Sequence, residues 1–357
     1  MGNSFGKYLK LTTFGESHGR AIGGVLEGFP AGFQVDLAQL QHFVNRRRPT
    51  TQSHSTSRSE LDQVEILSGM LDGQTLGTPI GFYMLNKDAQ SADYESLKDV
   101  YRPSHADFTW QQKYGIRDAR GGGRSSARET LSRVVAGGLA LQYLHSLGIQ
   151  IVASVISIGG IPSEIPQTPP DLAQVDSDAL RCADSVASAK MQQLIHETAL
   201  NKDSLGGVIH CWVTNLTCGL GEPVFDKLQS RLAAAMLSIN AAKGFSYGAG
   251  FQSSAMTGSQ HNDVPLESKL GFKTENNLAG GILGGISNGE TLTFEVAFKP
   301  VASIGQSQKM HSVDGQIVER TIVGRHDVTV VPRAVPIVEA MTALTILDFV
   351  LLQKINK

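Results

Sequence analysis

The chain has 357 residues, 41% of them hydrophobic and 18% charged, with a formal net charge of −2. That is the composition of a soluble globular protein with enough apolar material for a large core, and it excludes collagen-like, disordered and supercharged chains. A balanced charge gives no pull toward nucleic acid or membrane, so any basic site must be gathered locally.

The three cysteines, Cys182, Cys211 and Cys218, lack metal-site spacing and fit a reduced environment. No apolar leader opens the sequence, and the most apolar stretch, 344–352, is too short to span a bilayer and carries Asp348. A cytoplasmic protein with no membrane partner is expected.

Near the N-terminus, TTFGESHGRAIGG (12–24) sets Ser17 and His18 in a tight turn between glycines, leading into a predicted strand at 20–29. A histidine held there yet reachable suits a general acid near neutral pH, although a plain surface turn has the same signature. A helix is predicted over 36–48. It ends in Arg46, Arg47 and Arg48 before Pro49, where the arginines either complement the helix dipole or bind phosphate. No aromatic residues interleave them, which argues against nucleic acid. Strands follow at 62–70 and 79–85. The loop 101–118 offers Arg102 and His105 around Pro103.

Residues 117–133, RDARGGGRSSARETLSR, hold three consecutive glycines and five arginines. Ser126 and Glu129 have capping-box spacing, so a helix is expected from Arg128 to about Leu147. Unpaired N–H groups and the positive dipole end at such a start favour an anion. Arg124 and Arg128 add charge, and the glycines let the backbone come close. A solvated basic turn is the competing reading. The spacing is neither that of an NTPase loop nor that of a dinucleotide fold.

Further along, strands are predicted at 149–159, 206–215 and 291–298, and helices at 185–199, 223–240 and 336–355. The proline- and acid-rich segment 161–180 reads as a surface excursion. Small-residue stretches at 239–251, 279–290 and 299–305 suit the approach of a flat ring edged with hydrogen-bonding groups, or simply tight packing. GRHDVTVVPRAVP (324–336) gathers Arg325, His326, Asp327 and Arg333, which a salt-bridged surface turn would also explain. Several strands adjoin without an intervening helix, which points to an α+β architecture rather than a doubly wound sheet. No His/Cys/carboxylate set has metal-ligand spacing, so no metal is expected.

Taken in order, TTFGESHG, RRRP, RPSHAD, QQKYGIRDARGGGRSSARET, INAAKGF, GGILGGISNG and GRHD…PRAVP run from near the N-terminus to about residue 340. This ordered set resembles chorismate synthase over essentially the whole chain. The resemblance implies one domain over 1–357, a β-α-β sandwich with helices packed between antiparallel sheets, assembled as a homotetramer. It also implies conversion of 5-enolpyruvylshikimate 3-phosphate to chorismate by anti-1,4-elimination, the last common step toward the aromatic amino acids. Reduced FMN is the implied cofactor, with an external flavin reductase as the expected partner and NADPH only as an indirect reductant.

Residue by residue, the resemblance implies that His18 protonates the departing phosphate with Ser17 beside it, and that His105 faces the flavin. Asp327, with flavin N5, takes the ring proton. Arg47, Arg102, Arg128 and Arg325 are implied substrate clamps. Implied FMN contacts are Arg124, Ser125, Ser126, Asn240, Ala241, Gly284, Lys299, Pro300, Val301, Ala302, Ser303 and Arg325. The sequence departs from the family pattern at Ser53, where a basic residue is usual, with His54 or Arg58 as substitutes, and at Ser104 and Val328. Two rivals use the same anion sites: an NAD(P)H-dependent flavin reductase, and a non-catalytic protein binding a phosphometabolite or RNA.

Overall fold

The computed structural model describes residues 2–48, 62–86, 97–266, 273–322 and 327–355. Burial alternates along Ile80–Leu85 and along Leu292–Phe298, the period-two signature of a strand with one face on a core. The two strands belong to separate five-stranded antiparallel sheets. In spatial order the first runs Ser4–Phe5, Lys10–Gly15, Ala21–Glu27, Ile80–Leu85 and Glu65–Ile66. The second runs Ile161–Pro162, Gln150–Ile158, Gly207–Thr214, Leu292–Phe298 and Ala242–Tyr247.

Two long helices fill the space between the sheets. Helix Thr130–Ser146 lies on the first sheet, helix Val331–Ile355 lies on the second, and the two pack on each other. Their closest approach requires Gly137, because a Cβ there would lie 2.3 Å from the Cβ of Ala340. The fold is therefore the expected α+β sandwich.

Helix Val331–Ile355 corrects the expectation that no apolar stretch is long enough to span a bilayer. By length and composition its 25 residues could cross a membrane, yet 94% of its most apolar window is buried inside the fold. Cover from both layers explains why it is apolar all round. Its two acids are engaged. Asp348 accepts the backbone N–H groups of Lys7, Tyr8 and Leu9 at 2.8, 2.8 and 2.9 Å, tying down the N-terminal turn. Glu339 pairs with the buried Arg46 and accepts Ala153 N–H at 3.1 Å.

The helix starts five residues before its predicted beginning at 336. Pro336 has no N–H to give the carbonyl of Pro332, and Arg181 Nη1 donates to that oxygen instead, at 2.5 Å. Arg181 and its partner Asp176, which also holds Arg46 at 2.8 Å, come from 161–180 and its edge. The segment runs over the surface as expected, with Val175 and Leu180 buried, and Asp176 ties it to Arg46.

A smaller three-stranded sheet, Val100–Tyr101, Ser307–Ser312 and Ile317–Thr321, encloses its own cluster of Leu97, Val100, Met310 and Ile322. It stands immediately before the loop bearing His105.

Candidate active site

The turn after strand Lys10–Gly15 carries Ser17 and His18, whose Oγ and Nδ1 lie 3.2 Å apart. Asn86, at the end of strand Ile80–Leu85, clamps this turn by donating to Glu16 O at 3.0 Å and Gly19 O at 2.9 Å. The triple-glycine loop also packs against it. A Cβ on Gly121 would meet His18 Cε1 at 2.5 Å, and one on Gly122 would meet His105 Cε1 at 2.9 Å. All three glycines have positive φ, which side chains rarely tolerate. The loop therefore lies against both histidines.

The expected capping box takes another form. Gly123–Ser125 and Ala127–Glu129 are 3₁₀ turns, and the α-helix begins only at Thr130. Ser126 Oγ accepts Arg128 N–H at 3.4 Å. Glu129 does not return to Ser126; its carboxylate accepts from Thr13 Oγ1 and Arg133 Nε, both at 2.9 Å. Tertiary partners have displaced the local motif.

His105 sits beside a carboxylate that the motif reading passed over. Its Nδ1 is 2.9 Å from Oδ1 of Asp107, with the N–H direction off the ideal hydrogen-bond line. Asp107, only 3% exposed, also takes the Arg102 guanidinium through two bonds, Nε to Oδ2 at 2.7 Å and Nη2 to Oδ1 at 2.9 Å. Arg102 is thus committed to Asp107 and serves the loop before any ligand. Burial pushes the Asp107 carboxyl up, but the Arg102 hydrogen bonds and the close His105 ring outweigh that and hold it well below the usual carboxylate range.

A cationic cluster adjoins the histidine turn. Arg47 is 4% exposed and donates to Thr130 Oγ1 at 3.0 Å and Ala127 O at 2.6 Å. Its pKa is pushed down to about 9 by burial, then by Arg333 and Arg128. Arg128 donates to Asp62 Oδ1 at 2.6 Å and to Asn86 Oδ1 at 3.1 Å. Arg333 pairs with Asp327 at 2.8 Å and reaches Arg47 O at 3.3 Å. Asn86 therefore links this cluster to the turn of Ser17 and His18. Arg325, His326, Ser53, His54 and Arg58 lie outside the described residues.

Several of the expected flavin residues form a connected strip. Asn240 Nδ2 donates to Ser125 O at 2.9 Å, Lys299 N to Ala241 O at 2.9 Å, and Lys299 Nζ to Ser104 O at 2.7 Å, beside His105. Ser204 Oγ holds Val301 O at 2.8 Å, and Pro300, Ala302 and Ser303 share that loop. Burial and then Lys243 lower the Lys299 pKa. Arg124 is turned onto Thr13 Oγ1 at 2.8 Å and Gly15 O at 3.4 Å, docking its loop to the first sheet. Gly284 stands in the tight hairpin of Ile282–Leu283 with Ile286–Ser287, and a Cβ there would meet nothing within 4 Å. No hydrogen bond joins it to the strip among the described residues. The set fits a flavin in one respect: Asn240 Oδ1 is buried without a partner among the described residues, beside the strip that runs from Ser125 to Lys299.

Comparison with known proteins decides the family. The sequence profile described as chorismate synthase matches residues 9–351. The chain belongs to the chorismate synthase family. It is 51% identical over 356 residues to the chorismate synthase of Christiangramia forsetii, covering 100% of this chain and 99% of that protein. It is 48% identical over 353 residues to that of Synechocystis sp., covering 98% of each. A crystal structure of chorismate synthase superimposes with a TM-score of 0.78 at 29% identity, covering 98% of this chain and 93% of that one. Membership makes the chain a lyase of the chorismate-forming step.

The positioning residues Asp62, Asn86 and Asp107 are absent from the motif-based assignment. Of these, only Asp107 carried a signal, as the acid two places after His105 in RPSHAD.

Proposed function

We propose that the chain converts 5-enolpyruvylshikimate 3-phosphate to chorismate and inorganic phosphate by anti-1,4-elimination, with reduced FMN bound and no net redox change. Family membership supports the reaction. The observation that carries the assignment of this site is the packing of His18 and His105 against adjacent glycines, beside a cluster of Arg47, Arg128 and Arg333.

The chemistry asks for three things from the chain. Substrate anions need matching charge, and the arginine cluster has it in excess: buried Arg47 feels both Arg333 and Arg128, and their charge outweighs that of Asp62 and Asp327. An arginine yields its proton with great reluctance, so the cluster is satisfied by recruiting an anion. The departing phosphate oxygen needs a proton, which His18 supplies, with Ser17 steadying the ring through Nδ1. The ring C–H proton needs an acceptor, and the Asp327 carboxylate, held by Arg333, receives it.

When bound, the reduced flavin lends electron density to the allylic system and recovers it, which makes loss of a non-acidic proton feasible. Asn240, Ala241, Ser125, Ser126, Arg124, the loop Lys299 to Ser303, Gly284 and Arg325 would hold it. An external reductase supplies it in reduced form, with NADPH acting only through that partner, and the working assembly is a homotetramer.

The test is single-turnover phosphate release by His18→Ala under anaerobic conditions. A loss of about 10²–10⁴-fold with unchanged FMN affinity is expected. Unchanged turnover would remove His18 from the mechanism.

A further inference from the structure

We infer that Asp107 is a positioning residue that holds His105 in the Nδ1–H form, so that Nε2 is the nitrogen offered toward the cofactor. The inference deepens the proposed function and rests on its reading of His105 as the cofactor-facing histidine.

The argument is one of donors and acceptors. Arg102 and Arg117 have only N–H groups to give. Asp107 Oδ2 takes the backbone N–H of Arg102 at 3.2 Å and its Nε at 2.7 Å. Oδ1 takes Arg102 Nη2 at 2.9 Å, with Arg117 Nη1 at 3.5 Å. A carboxylate surrounded by such partners is ionised and accepts only. The ring nitrogen facing it, His105 Nδ1 at 2.9 Å, must therefore carry a proton. The Cε1–Nε2 edge of the ring faces the glycine loop at Gly122.

The carboxylate cannot readily swing away. Arg117 is fixed by the carbonyls of Leu97, Lys98 and Val100 at 3.0, 2.8 and 2.8 Å, and it lies 4.8 Å over the Tyr101 ring. Asp107 is thus bolted to the small three-stranded sheet, and through it so is the His105 ring. An Asp–His pair of this kind selects one tautomer and one ring orientation, and the acid need not itself take the proton.

The decisive experiment is nitrogen NMR on flavin-free protein labelled at histidine, recorded where the rings are neutral, with His105→Gln to assign the signal. The wild-type His105 ring is expected to show a protonated Nδ1 and an unprotonated Nε2. In Asp107→Asn the Nδ1–H preference should vanish and kcat should fall about 10²-fold or more with little change in KM. A wild-type ring protonated on Nε2 overturns the inference even if Asp107→Asn fails to fold. So does an Asp107→Asn variant with unchanged tautomer and kcat. Full activity of His105→Gln would instead overturn the assigned role of His105, whatever tautomer the wild type shows.

Discussion

Gly121 and His18 are packed so closely that a Cβ on the glycine would lie 2.5 Å from Cε1 of the imidazole. The glycine also has a φ of +68°, a region that L side chains rarely adopt. Gly121→Ala is therefore expected to displace His18 or the loop. A shift of about 1 Å at a reacting group can cost about 10²-fold in rate. The measurement is kcat alongside Tm, with activity falling far more than stability.

Arg47, Arg128 and Arg333 predict a protein that is short of anions. Inorganic phosphate should raise the Tm of the wild type measurably. Arg47→Met should respond less, because the variant has lost the cation whose charged form burial and two neighbours disfavour. An equal phosphate response in both proteins would place the anion site elsewhere.

Asp107 makes a prediction about acid stability, and its sign follows from linkage. Its folded pKa is depressed, so its stabilising contribution is complete above the unfolded value of about 3.9 and fades as pH falls below it. Denaturant unfolding between pH 5 and pH 2.5 should show wild-type stability dropping more steeply than that of Asp107→Asn. Parallel slopes would contradict the depressed pKa.

Glu339 lies inside helix Val331–Ile355 against buried Arg46. Glu339→Ala leaves that guanidinium, among the described residues, with the partly exposed Asp176 as its remaining ion partner. Removing one member of a buried pair costs about 3–5 kcal/mol. Chemical denaturation should register that loss, and a cost near zero would show that the pair is structurally idle.

Much of the fold was legible in the sequence. The strands at 79–85, 149–159, 206–215 and 291–298 and the helix at 185–199 lie within a residue or two of those observed. Their hydrophobic periodicity is set by the layers they bury. Strands Lys10–Gly15 and Ala242–Tyr247 were hidden because small and polar residues serve the site and the bulged sheet edge. Helix Val331–Ile355 runs through the boundary that Pro336 signals, and Arg181, 151 positions before Pro332, fills the Pro332 carbonyl that the proline leaves without an N–H.

The site was legible as motifs and illegible as a network. His18, His105 and the arginines stand out by type and spacing. Asp62 and Asn86 act through contacts across the fold, 66 and 42 residues from Arg128, and no local pattern announces such partners.

The central claim is tested most directly by an anaerobic assay of purified protein with 5-enolpyruvylshikimate 3-phosphate and dithionite-reduced FMN, following chorismate and phosphate together. Equal amounts of both products, with no net flavin oxidation, are predicted. Tight flavin binding without either product would contradict the account and leave a flavin-binding member of the family that has lost the elimination.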